Sequence, residues 1–181
     1  MKTNLINENP TVNKIIEKLE KNFHTILDEY KKCTKPSIYF DFIFWLKSCK
    51  KFYLFLGLYL IYIDVQKLSG EDNNYDWEEV TKDKFPITHS IINSFNYDDV
   101  NFSKLGGNIN NVLHTDSTTD KPLIRIHLPL IVPKGDIGIE VNSNVITWEE
   151  GKCVAFDTSI PHRFWNFTGH KRVNLLMSIF L

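Results

Sequence analysis

At 181 residues, with 43% hydrophobic and 24% charged residues, the chain is long enough for one globular domain with a sizeable core. A net charge of -1 leaves no excess of cations to neutralise phosphates, which argues against a nucleic-acid binder. Cys33, Cys49 and Cys153 are odd in number and widely spaced, so neither a disulfide framework nor a thiolate zinc site is expected, and a reducing compartment fits best.

The first ten residues carry no apolar core, which speaks against a secretory signal and for a cytoplasmic location. From Thr11 to Cys33 the apolar residues Val12, Ile15, Ile16, Leu19, Phe23, Ile26, Leu27 and Tyr30 recur at i, i+3, i+4 spacing. That pattern predicts one amphipathic helix, with Thr11 as its cap and Lys35-Pro36 as its breaker. Residues 37–65 are rich in aromatic and β-branched side chains and read equally as helix or strand. Within them, Phe52 to Ile63 is an almost unbroken apolar run of 12 residues. A bilayer span needs about 20, so core burial is expected; contact with a membrane surface is the other reading. Gly70 to Asn74 reads as a loop, and Trp77–Val80 and Ile87–Phe95 as short helical pieces.

Near residue 100 the pattern changes to period two. Candidate strands are Val100–Leu105, Asn111–His114, Leu123–Val132, Ile137–Val141, Val145–Trp148, Lys152–Phe156, Arg163–Phe167 and Val173–Leu181. Turn residues separate them, among them Gly106-Gly107, Pro133-Lys134-Gly135 and Asn142-Ser143-Asn144. Short strands joined in this way predict a mainly β protein with N-terminal helices, its strands wound as a double-stranded β-helix, the jelly roll of cupin-like barrels. A single domain over residues 1–181 follows, with 1–98 a mostly helical support region and 99–181 the core that carries the site.

The chemistry gathers in that second half. In His114-Thr115-Asp116 the imidazole and the carboxylate are two apart, so on an extended segment both leave the same face. His162, after Pro161, is placed to supply a third ligand from a distant strand. Two imidazoles and one carboxylate suit a divalent iron and leave the opposite positions open for substrate and oxygen. The arginines of the chain are Arg125, Arg163 and Arg172, all near these motifs, whereas lysine serves almost everywhere else. A planar guanidinium grips a carboxylate in a way that lysine does not, which points to an anion such as a 2-oxo acid beside the metal. Ile124, Ile126, Leu128, Trp148, Phe156 and Met177 are candidates for a dry wall or for plain core. Trp165 and Asn166, just past His162, are candidates for the substrate mouth.

These strings carry a resemblance. Phe102-Ser103-Lys104-Leu105, His114, Leu123-Ile124-Arg125-Ile126-His127-Leu128-Pro129-Leu130, Trp148-Glu149-Glu150-Gly151-Lys152, Phe156-Asp157-Thr158-Ser159, His162 and Arg172 stand in one order. In that order residues 103–179 resemble the aspartyl/asparaginyl β-hydroxylase family of Fe(II)- and 2-oxoglutarate-dependent oxygenases. The resemblance implies that His114 and His162 bind iron, that Ser103 and Arg172 hold the distal carboxylate of 2-oxoglutarate, and that Arg125 and His127 meet its metal-proximal carboxylate or the substrate. It further implies that O2 and 2-oxoglutarate are consumed, succinate and CO2 released, and an unactivated C–H hydroxylated in an amino acid, a protein aspartyl or asparaginyl side chain, a lipid or another small molecule. Animal members have glycine where this chain has Asp116; bacterial relatives acting on free proline or lipid A carry H-x-D, and this chain is similar to them there. A cupin-like metal- or ligand-binding module without turnover is the competing reading, and it would have no need of Ser103, Arg125 and Arg172 as a carboxylate clamp.

Overall fold

Residues 9–34, 75–116 and 122–181 are described by a computed structural model. The run Phe52–Ile63, the ambiguous stretch 37–65 and the loop Gly70–Asn74 lie outside the described residues. The chain divides into two compact units, residues 1–30 with 74–181 and residues 31–73, and all the strands below belong to the first.

The amphipathic N-terminal stretch forms two helices rather than one, α1 (Pro10–Lys21) and α2 (Phe23–Cys33). Asn9, not Thr11, is the cap: its Oδ1 accepts from the backbone N–H groups of Thr11 and Val12 at 2.9 and 3.2 Å, and Pro10 occupies the first turn, where no N–H is needed. The break falls at Asn22, whose side-chain amide donates to the Lys18 carbonyl at 2.7 Å, an acceptor that the Asn22 backbone N–H also reaches at 3.2 Å. A third helix, α3 (Pro86–Ile92), is the shorter form of the piece expected at Ile87–Phe95.

Nine strands follow among the described residues: β1 (Tyr75–Glu79), β2 (Asp99–Leu105), β3 (Ile109–Asn110), β4 (Leu123–Ile131), β5 (Ile137–Val141), β6 (Asn144–Thr147), β7 (Val154–Asp157), β8 (His162–Asn166) and β9 (Arg172–Phe180). They form a five-stranded sheet in the order β1-β2-β9-β4-β7 and a four-stranded sheet in the order β3-β8-β5-β6, all neighbours antiparallel. This is the expected jelly roll behind N-terminal helices. Two local expectations are overturned. Trp77–Val80 is not helical, because residues 75–79 complete the edge of β2, and ladder hydrogen bonds outweigh weak local preference. Asn111–His114 is not a ladder strand either; the ladder is Ile109–Asn110, and His114 makes an isolated bridge with His162.

Alternation along the central strands assigns their faces. Ile124, Ile126 and Leu128 of β4 and Val173, Leu175, Met177 and Ile179 of β9 join Val12, Ile15, Leu19 and Ile26 in one core beneath the helices. Each such side chain, fully buried, contributes roughly 1.5–3 kcal/mol. Trp148 and Phe156 instead pack with Ile137, Ile139, Val141 and Val154 in a second, smaller core. Of the six candidates for a dry wall, four therefore face the helices. The opposite faces of β4 and β9 carry Arg125, His127, Arg172 and Asn174, and that polar inner face is where the site forms.

Candidate active site

Backbone pairing brings the H-T-D segment and His162 together. The His114 N–H donates to the His162 carbonyl at 3.0 Å, the His162 N–H donates to the His114 carbonyl at 2.8 Å, and the Asp116 N–H donates to the Thr158 carbonyl at 2.9 Å. The turn before His162 is itself braced, with the Ser159 N–H donating to Asp157 Oδ1 at 2.9 Å. With its backbone so pinned, the segment turns both of its ligand-type side chains toward one point.

Both histidines meet a backbone carbonyl two residues upstream through Nδ1: His114 with Val112 at 2.8 Å and His162 with Ile160 at 2.9 Å. A carbonyl only accepts, so Nδ1 carries the proton in each ring and Nε2 keeps its lone pair for a ligand bond. His114 Nε2 lies 3.6 Å from Asp116 Oδ1, and His162 Nε2 lies 4.0 Å from Asp116 Oδ2. The three donor atoms all fall within 4.8 Å of one another. Metal–ligand bonds of about 2.1 Å can bridge atoms roughly 4 Å apart, so the cluster has the donors and nearly the spacing of a metal site. Burial, reinforced by the neighbouring His114, holds the His162 imidazole below its ordinary value and so favours the neutral, ligating form.

The cluster opens into a cavity of about 560 Å³ lined by residues of both sheets, among them Arg125, His127, Phe156, His162, Phe164 and Leu176. Arg125 Nη2 stands 3.2 Å from Asp116 Oδ2. Arg172 is only 1% exposed; its Nη2 donates to Ser103 Oγ at 3.4 Å, and its guanidinium lies over the Trp148 and Phe164 rings at 5.1 and 5.8 Å. His127 stacks on Phe156 with centroids 5.7 Å apart and meets Asn174 Nδ2 through Nδ1 at 3.2 Å. Burial first, then the Arg172 and Arg125 charges, push the His127 imidazole well below its ordinary value.

Of the residues singled out from sequence, His114, Asp116, His162, Arg125 and His127 are brought together here, with Ser103 paired to Arg172 in the same interior. Trp165 and Asn166 are not brought to the cavity. Alternation turns Trp165 away from Phe164, onto Gly138 and into a hydrogen bond with Asp136, while the Asn166 amide donates to the carbonyls of Gly106 and His170, both at 2.8 Å. Arg163 also points elsewhere, held by Glu140 at 2.7 Å; of the three arginines, Arg125 lines the cavity and Arg172 is buried against the Trp148 and Phe164 rings. Trp77, Asn110 and Asn111 line the cavity without having been anticipated. Trp77 was hidden by the helical reading of its segment. Asn174 did have a signal, a polar residue two positions from Arg172 on a strand whose other polar member is Ser178.

A family model described as aspartyl/asparaginyl beta-hydroxylase matches residues 20–180. The chain belongs to the aspartyl/asparaginyl β-hydroxylase family. Among curated members it is 40% identical over 57 residues to the ornithine lipid ester-linked acyl 2-hydroxylase of Rhizobium tropici, covering 30% of this chain and 20% of that protein. It is 33% identical over 66 residues to the human aspartyl/asparaginyl beta-hydroxylase, covering 36% of this chain and 8% of that protein. The matches thus span a fifth or less of these two relatives. Among solved structures, the Schizosaccharomyces pombe Cnp3 cupin domain aligns at a TM-score of 0.43 and 8% identity, over 61% of this chain and 67% of that one. No helix among the described residues is long and apolar enough to cross a membrane.

Proposed function

We propose that this member of the β-hydroxylase family is an Fe(II)- and 2-oxoglutarate-dependent dioxygenase that hydroxylates an unactivated C–H of an amino acid, a protein side chain or a lipid. The observation that carries the reading is the His114–Asp116–His162 cluster, with both Nε2 lone pairs left available by the carbonyl contacts at Nδ1. Two imidazoles and one carboxylate are the donor set suited to a non-haem iron with open positions.

In this reading His114, Asp116 and His162 hold the iron, and bound iron with 2-oxoglutarate and O2 supplies the oxidising chemistry, releasing succinate and CO2. Arg172 and Ser103 receive the distal carboxylate of 2-oxoglutarate; a buried guanidinium set by aromatic faces can offer its fork with little further ordering. Arg125 and His127 face the metal-proximal carboxylate or the substrate. Phe156, Phe164 and Leu176 keep that end of the cavity apolar and limit water near the metal.

Incubation with Fe(II), ascorbate and 2-oxoglutarate is expected to yield succinate, slowly without substrate and faster with the right one. His162→Ala should abolish metal binding and turnover together. Arg172→Lys should leave metal binding intact and weaken 2-oxoglutarate roughly tenfold, the cost of about one charge-assisted hydrogen bond. Metal-loaded protein that forms no succinate with any amino acid, peptide or lipid tested would sink the oxygenase reading in favour of a binding module.

A further inference from the structure

Asn174 is fully buried on β9, two residues from Arg172 and on the same inner face, directly across from Ser103 of β2. A carboxamide placed there without a partner costs roughly 1–3 kcal/mol, so an apolar residue would serve packing better. Its Nδ2 lies 3.2 Å from His127 Nδ1. With Nδ2 turned to the ring, and Oδ1 buried without a partner among the described residues, the amide donates, and the ring nitrogen facing it is then the unprotonated one. In a neutral ring the proton is then on Nε2. Burial and the two nearby guanidinium groups keep that ring neutral. Stacking on Phe156 and the Trp148 ring 5.4 Å away hold its plane.

We propose that Asn174 is a positioning residue that locks His127 in the tautomer with its proton on Nε2, so that a hydrogen-bond donor is presented to a carboxylate ligand in the cavity. His127 lines that cavity, and its Nε2 is buried with no hydrogen-bond partner among the described residues. A buried donor left unmade costs about 1–3 kcal/mol, which an anionic oxygen would recover on binding. The opposite tautomer would set a lone pair against that oxygen. The assignment makes His127 a donor and not a base. Only the identity of the acceptor, a carboxylate of 2-oxoglutarate or substrate, rests on the oxygenase reading; the tautomer does not.

Long-range proton–nitrogen NMR on the full, metal-free chain at pH 7.5 reads the tautomer directly, with the His127 signals identified by their loss in His127→Gln. The wild type is expected to show a protonated Nε2 and a bare Nδ1. Asn174→Asp, nearly the same shape, should invert the ring, because a carboxylate accepts and draws the proton to Nδ1. Asn174→Leu should give a mixture and bind 2-oxoglutarate roughly tenfold more weakly by calorimetry, without the added negative charge. A wild-type ring protonated on Nδ1, which needs the carboxamide turned over, would overturn the proposal, as would an Asn174→Asp ring still protonated on Nε2. If Asn174→Leu fails to fold, the other two spectra still decide. The expected spectra without any 2-oxoglutarate binding by the wild type would support the tautomer and count against the oxygenase reading.

Discussion

The three histidines of the site differ in what holds them, and that difference sets their chemistry. His114 and His162 meet a backbone carbonyl at Nδ1, which leaves the Nε2 lone pair available, whereas His127 meets the Asn174 amide nitrogen at Nδ1 and has its Nε2 buried without a partner among the described residues. On the function and tautomer proposed above, the same side chain serves as ligand twice and as donor once, according to its one fixed neighbour. His127 also makes stability depend on pH. Its folded value lies well below the ordinary 6.5, so between the two the unfolded chain binds a proton that the folded chain does not. Stability is therefore fully present above about pH 6.5 and declines as pH falls below it. Urea unfolding of the metal-free protein at pH 7.5 and 5.5 should show this loss, and His127→Gln should show less of it. An equal loss in the variant would remove His127 as a cause.

Elements of the support layer are tied by side chains rather than by their own backbone. Glu29 of α2 is buried, and its two oxygens accept from the Ile87 and Thr88 N–H groups at 2.7 and 2.6 Å. One carboxylate thereby satisfies two open donors of the first turn of α3 and ties the two helices together. Glu29→Ala should cost about 2–4 kcal/mol in urea unfolding, since it leaves buried donors unmade, while Mn(II) affinity at the proposed His114–Asp116–His162 site stays unchanged. Nothing in the spacing of Glu29 distinguishes it from Glu17 or Glu20; as part of an amphipathic helix it reads as a solvated charge. The same limit explains the two helices taken for one. Apolar periodicity runs through Asn22 without a break, and only the Asn22–Lys18 contact shows where the first helix ends.

For the molecule as a whole, Asn166 ties two loops of the jelly roll together, although its place beside His162 in the sequence suggests substrate contact. Its carboxamide donates to Gly106 and His170 and accepts from the Thr168 N–H and hydroxyl at 3.1 and 2.7 Å, which joins the loop after β2 to the loop between β8 and β9. Gly107 belongs to the same junction, where an added Cβ would stand 2.3 Å from the Thr168 carbonyl oxygen. Asn166→Leu should destabilise the protein by about 2–4 kcal/mol, because several buried groups lose partners at once. Where the variant remains folded, its Mn(II) affinity should match the wild type; a selective loss of ligand binding with full stability would restore the substrate role.

Sequence alone determined the strand-rich second half, the antiparallel turns, and the residue types that meet in the site. Period-two alternation and the H-x-D spacing are local, and local geometry is what a linear pattern encodes. It also placed Arg125 and His127 on one strand face, as the structure does. Tertiary structure decided the rest, because pairing partners and buried hydrogen bonds join residues far apart in the chain. It made Tyr75–Glu79 a strand, sent Trp165 and Asn166 away from the cavity, and set Asn174 against His127. Each of these depends on which neighbour lies across a sheet, and the order of residues along a single strand does not carry that information.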